Sequence, residues 1–181
     1  METVATKTIW TIDPTHSEVQ FKVRHLMVST VTGQFNKFDG RLETEGDDFT
    51  NANVYFTADI DSITTNNEQR DGHLKSADFF HAEEHPQMVF ESTSMTKVGQ
   101  ERYELAGTMT IRGINKPIVL NVDYGGQMED FYGNHKAGFE ITGTIKRKEF
   151  GLMWDAVTEA GGVVVSDEVK LALSIQITKQ K

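Results

Sequence analysis

The chain has 181 residues, 38% hydrophobic and 25% charged, which is enough to bury one good core and too apolar for a disordered chain. Its 27 acidic residues against 18 basic ones leave a net charge of -9, which repels a polyphosphate backbone and argues against a nucleic-acid partner. Cysteine is absent, excluding disulfides, thiolate metal sites and cysteine nucleophiles, and no apolar run is long enough to cross a bilayer as a helix.

Residues 1–10 lack the apolar core of a secretory leader, so cytoplasmic residence is the expectation. From there apolar residues recur at every second position through eight stretches: 19–24, 31–42, 52–60, 88–94, 103–111, 118–124, 137–145 and 165–177. A period of two sends successive side chains to opposite faces of a strand. In the first stretch Val19, Phe21 and Val23 share one face, with Gln20, Lys22 and Arg24 on the other. The last stretch repeats the scheme with Val169, Leu171, Leu173, Ile175 and Ile177. Eight such strands, most of them joined by hairpin-length breaks, predict an antiparallel sheet with one wet face that curls into a barrel.

One segment departs from the pattern. Over 67–80, Arg70, His73, Leu74, Ala77 and Phe80 fall at intervals of three and four, which predicts one or two short helices, with Gly72 weighing against a single rod. Pro86 then opens the next strand, where a missing amide hydrogen costs least. The expected fold is all-β, an eight-stranded antiparallel barrel with one or two short helices at one end, in a single domain over 1–181.

Glycines 33, 40, 107, 138 and 143 lie within or at the ends of the alternating stretches, where they permit bends at barrel corners. Gly107 and Gly143 share the parity of their apolar neighbours and would leave interior volume open. Catalytic patterns are weak by comparison. Asp13, His16 and Ser17 are close in sequence, but His16 and Ser17 point to opposite sides of an extended chain and no Gly-x-Ser-x-Gly turn exists. His81 and His85, with Glu83 and Glu84 between them, have a spacing that could hold a divalent ion but lack the context of a known zinc signature, so no metal is expected.

The ordered motifs are more specific. Trp10-x-x-Asp13-x-x-His16-Ser17 leads into Val19-Gln20-Phe21-Lys22-Val23-Arg24-His25 and Val31-Thr32-Gly33-Gln34-Phe35. Arg70-Asp71-Gly72-His73-Leu74, Asp78-Phe79-Phe80, His85-Pro86 and Phe90-Glu91-Ser92 follow. The run from Gly107 to Gly113, Lys116-Pro117 and Arg147-x-x-Phe150-Gly151-Leu152-x-Trp154 complete the set. With these pieces in this order, the chain resembles the YceI-like family over almost its whole length. The resemblance implies a lipocalin-like barrel that holds a long isoprenoid lipid in an apolar tunnel. Many members of that family look exported, so a processed form of this chain would belong in the periplasm.

On that resemblance the inward residues are the expected lining: Phe21, Phe35, Val54, Phe56, Phe90, Leu105, Met109, Phe139, Ile141 and Trp154. Met109, Met128 and Met153 are thioethers suited to irregular tails. His25, Arg70, His73 and Arg147 are the candidate polar contacts, beside His16, Arg112 and Asp167 in the same motifs. Two roles stay open for them: hydrogen bonds to a lipid head group, or a buried network, with Arg70 or Arg147 on Asp13, Asp71 or Asp167, that closes one barrel end. Arg70, His73 and Arg147 are expected to converge there. The implied function is non-catalytic binding, storage or transport of a long-chain amphipathic lipid, with no cofactor, transient membrane contact and a homodimer. The alternative is a stress-response or scaffold protein with a packed core.

Overall fold

The structure, a computed structural model, describes residues 7–26, 28–46, 48–154 and 165–180. Its strands are β1 (Lys7–Ile12), β2 (Glu18–His25), β3 (Ser29–Phe35), β4 (Phe38–Glu45), β5 (Asp48–Asp59) and β6 (Ile63–Thr64). After helix α1 (Glu68–Lys75) come β7 (Gln87–Lys97), β8 (Arg102–Ile111), β9 (Ile114–Glu129), β10 (His135–Lys146) and β11 (Val165–Lys179). All pairings are antiparallel, and β1 closes the ring on β11 through Trp10↔Lys179 and Ile12↔Ile177.

Three pairs of these strands each run as one bent strand. β1 and β2 both lie along β11, β3 and β4 lie along that pair, and β6 continues β5 beside β3. Counted this way the described residues form an eight-stranded up-and-down barrel, as the alternation predicts, with one short α-helix.

The bends have local causes. From Ile12 to Glu18 the chain takes six steps while its partner takes three, from Ile177 to Ser174. The surplus forms a single 3-10 turn at Pro14–His16, whose first N–H, that of Thr15, donates to the Asp13 carboxylate. The Ser17 hydroxyl then stands in for a backbone group by accepting from the Gln176 N–H at 2.9 Å. Beside this break, Asn36 and Lys37 separate β3 from β4, and the inward parity flips between Phe35 and Phe38. The Asn36 N–H donates to the Ser62 carbonyl at 3.1 Å and the Asp59 N–H to Lys37 at 2.9 Å, so pairing survives across the bend.

Helix α1 is short and buries no residue. It is held by hydrogen bonds instead: Asn67 caps its first turn at Arg70 N–H, and Asp71 accepts from both the Thr65 N–H (2.8 Å) and the Thr65 hydroxyl (2.5 Å). The 76–85 stretch after it is a run of turns rather than a second helix.

The strands place two ends in different chemistry. At the base, where both ends of the described chain lie, an aromatic cluster fills the barrel. Phe49 sits at its centre with ring centroids 5.4 Å from Trp10, 5.5 Å from Tyr124 and 5.1 Å from Phe139. Trp10 is fully buried and gives its indole N–H to the Thr44 hydroxyl at 3.3 Å. At the opposite end, the rim, lie the β2–β3 hairpin, α1, the 76–85 turns, the β8–β9 turn and the segment 147–154.

Candidate functional site

Above the aromatic base the barrel holds a cavity of about 110 Å³ with an almost wholly apolar wall. Nine of the ten apolar residues expected from the sequence line it: Phe21, Phe35, Val54, Phe56, Phe90, Leu105, Met109, Phe139 and Ile141. Sequence reasoning missed Leu42 and Met95, which also line it. Both lie beyond a parity flip, Leu42 after the Asn36–Lys37 break and Met95 after a bulge at Ser92/Ser94, so alternation alone puts them on the wrong face. Met109 is joined by Met88 and Met95 in the wall, whereas Met128 and Met153 are exposed on the surface.

Glycines shape this wall. A Cβ on Gly33 would stand 2.2 Å from the Phe21 ring, one on Gly107 2.5 Å from the Phe90 ring, and one on Gly143 2.4 Å from a Leu120 methyl. The expectation that Gly107 and Gly143 leave interior volume open does not hold: Phe90 and Leu120 occupy the space over them, and neither glycine lines the cavity. At each of the three glycines a neighbouring side chain takes the room that a Cβ would need, so its end packs directly on bare backbone.

Trp154, the tenth apolar candidate, belongs to the rim and not to the cavity wall. Its ring meets His73 edge-on at 4.8 Å and Phe79 at 5.5 Å. Its carbonyl accepts from the Arg147 guanidinium at 2.7 Å. His73 and Arg147 therefore converge through Trp154, although they are far apart in sequence. Phe80 continues this cover toward the interior, its ring edge-on to Phe35 at 6.2 Å.

Arg147 is only 3% exposed and lines no part of the cavity. It donates to the carbonyls of Ser166 (2.8 Å), Leu152 (2.7 Å), Trp154 and Val165 (3.0 Å), fastening the exit of β10 to the entry of β11. Arg112 works alike, donating to Phe79 (2.9 Å) and Gly151 (3.1 Å). Arg70 donates to the Thr65 hydroxyl and carbonyl, both at 2.7 Å, and so anchors α1 beside β6. His25 ends β2 at the rim hairpin, half-buried. Asp167 accepts from the Lys148 N–H at 3.0 Å. Arg70, His73 and Arg147 thus gather at the rim end, as expected, with His25, Arg112 and Asp167, and mainly tie rim segments to the barrel, whereas His16 lies apart at the first bend.

The carboxylate-bearing motif at the first bend has a partner the sequence could not indicate. Asp13 pairs with Lys136 at 2.8 Å, with side chains 15% and 11% exposed, and His16 Nδ1 lies 2.8 Å from the same oxygen, Oδ2. The Lys136 hydrogen bond, helped by those of Thr15 and His16, holds the Asp13 carboxyl well below the usual range against the opposing effect of burial. Ser17 bonds to Gln176 backbone groups, so Asp13, His16 and Ser17 make a strand junction and not a nucleophilic triad.

An up-and-down barrel with a greasy interior and a tied rim matches a known family. The YceI-like domain matches residues 10–177. The chain belongs to the YceI-like family. It is 36% identical over 166 residues to a UPF0312 protein of Pectobacterium carotovorum, covering 92% of this chain and 83% of that one. A UPF0312 protein of Staphylococcus aureus is also 36% identical, over 172 residues, with 94% and 98% covered. Among solved structures, the Campylobacter jejuni YCEI protein has a TM-score of 0.73 at 31% identity, covering 88% and 91%. Burkholderia cenocepacia BcnA superposes with a TM-score of 0.79 at 21% identity, covering 91% and 98%, and shares the fold. So does a polyisoprenoid binding domain from Saccharophagus degradans, with a TM-score of 0.67 at 16% identity, covering 94% and 98%.

Proposed function

We propose that this YceI-like protein binds a long-chain isoprenoid or related amphipathic lipid, stores or carries it with the tail inside the barrel, and exchanges it at the rim. General lipid binding agrees with the family; the isoprenoid tail and the direction of exchange are the specific reading. The observation that carries it is the apolar cavity, whose wall draws on strands from β1 through β11 around the barrel. Each CH2-sized unit removed from water contributes roughly 0.8 kcal/mol, so about ten of them outweigh the cost of ordering the tail. An aliphatic, aromatic and thioether wall suits holding a tail, which supports the reading as a carrier.

The volume sets a condition on this reading. A cavity near 110 Å³ is of the order that takes a benzene-sized ligand. A prenyl chain therefore enters only as wall side chains swing aside, a task suited to Met88, Met95 and Met109. The same modest volume favours the second reading, a scaffold with a packed core.

The rim carries the features of a surface that meets lipid. At the β2–β3 hairpin Leu26 is 42% and Val28 82% exposed, beside the cationic Arg24. Apolar tips flanked by basic groups favour anionic bilayers. Uptake of a fluorescent prenyl lipid from anionic vesicles tests this: the Leu26→Asp, Val28→Asp variant should take it up more slowly while retaining the same final capacity. Uptake at the wild-type rate would remove the hairpin from the exchange step. A homodimer completes the reading, since a symmetric partner is a common way to shield an apolar mouth; sedimentation at about tens of micromolar protein decides it.

A further inference from the structure

The turn that leads from the rim cover into β7 gathers three metal-ligating side chains, His81, Glu84 and His85. One ligand atom from each lies within 4.8 Å of the others. His81 Nδ1 stands 3.7 Å from a Glu84 carboxylate oxygen, and the two imidazole centroids are 6.0 Å apart at 75°. Donors placed about 2.0–2.2 Å from one tetrahedral ion lie roughly 3.3–3.6 Å from each other. Side-chain rotations of about an ångström therefore close the trio.

The backbone has already done most of the gathering. The N–H groups of His85 (2.9 Å) and Glu84 (3.2 Å) both donate to the His81 carbonyl, which folds the five residues into one turn. His81 adopts a left-handed φ of 52°, unusual for a residue with a Cβ, and this conformation starts the turn. Its N–H donates to Ser76 and that of the buried Ala82 to Lys75, both at 2.9 Å, anchoring the turn to the end of α1. The His85 imidazole rests on Gly113, where a Cβ would come within 3.1 Å of its Cε1. Both imidazoles are half-buried while Glu84 faces solvent, so the trio has a fixed back and an open front.

We propose that His81, Glu84 and His85 form a binding site for one borderline divalent cation of the Zn2+ or Cu2+ class, with the remaining coordination positions open to water. Two imidazoles and a carboxylate select such ions over Mg2+ and Ca2+, which prefer all-oxygen shells. Phe80, whose ring covers Phe35, directly precedes His81. A bound ion thus cross-links the turn behind the rim cover.

Calorimetric titration of tag-free full-length protein with ZnCl2 tests the site. The His81→Asn variant removes a ligand while keeping a residue that tolerates left-handed φ. His85→Ala removes the second, and His16→Ala, an exposed imidazole at the first bend, is the control. The wild type and the control should bind one ion per chain, and each site variant should bind about tenfold or more weakly with an unchanged melt in the absence of metal. If His85→Ala fails to fold, His81→Asn decides alone. No binding by the wild type in large excess of ZnCl2, or equal binding by His81→Asn, overturns the proposal.

Discussion

The Phe21 ring lies across Gly33, its directly paired neighbour on β3, so closely that a Cβ on the glycine would stand 2.2 Å from the ring's Cζ. The ring is parked against the wall because the wall has no side chain there. Gly33→Ala should drive Phe21 toward the barrel axis, lowering stability by about 1–3 kcal/mol and reducing bound lipid. Adding Phe21→Leu to the same chain should restore both. Denaturant melts alongside lipid-to-protein ratios check this, and a Gly33→Ala protein with wild-type lipid content would show that the ring does not control the tunnel.

Leu105 lies in the cavity wall and is 4% exposed. Leu105→Asp places a charge where water cannot reach it, so the variant should retain little lipid. Circular dichroism must show folded protein beside the lipid measurement. Full lipid content in a folded Leu105→Asp protein would contradict the assigned wall.

Arg147 donates to four backbone carbonyls from a buried position. Arg147→Met strips those acceptors of their donors, and stability should fall by about 3–5 kcal/mol. The set of lipids that co-purify should stay the same. A changed lipid profile with an unchanged melt would instead make Arg147 a head-group contact.

How much of this was legible in the sequence depended on whether the signal was local. Val19, Phe21 and Val23, or Phe139, Ile141 and Ile145, advertise their face by simple alternation, and the eight strands follow from such runs. Where a bulge shifts parity the signal inverts. Asn51, at a φ of 64°, lets both Phe49 and Ala52 turn inward, so the residue at the centre of the aromatic base was hidden. β1 was missed because Ile9 interrupts the alternation of Thr8, Trp10 and Ile12. Arg147 could be placed at the rim, but its carbonyl partners leave no trace in residue type. Asp13 and Lys136 meet across 123 positions, which no local pattern records.

That pair gives the chain a dependence on pH. Because the Asp13 pKa in the folded state lies below its unfolded value of about 3.9, the pair's contribution is complete above that pH and is lost as pH falls toward the folded value. Asp13→Asn should cost about 1–2 kcal/mol near neutral pH, and the difference from wild type should shrink on acidification. Urea melts of both proteins over that range measure it. A difference that stays constant with pH would mean the carboxylate charge is not what stabilises the first bend.

Whether the barrel interior holds a lipid tail is decided by mass spectrometry of organic extracts from natively purified protein. A prenyl or similar long-chain lipid near one per chain is the result expected. An extract without such a lipid, together with no uptake of an apolar dye, would contradict the carrier and leave a packed-core scaffold.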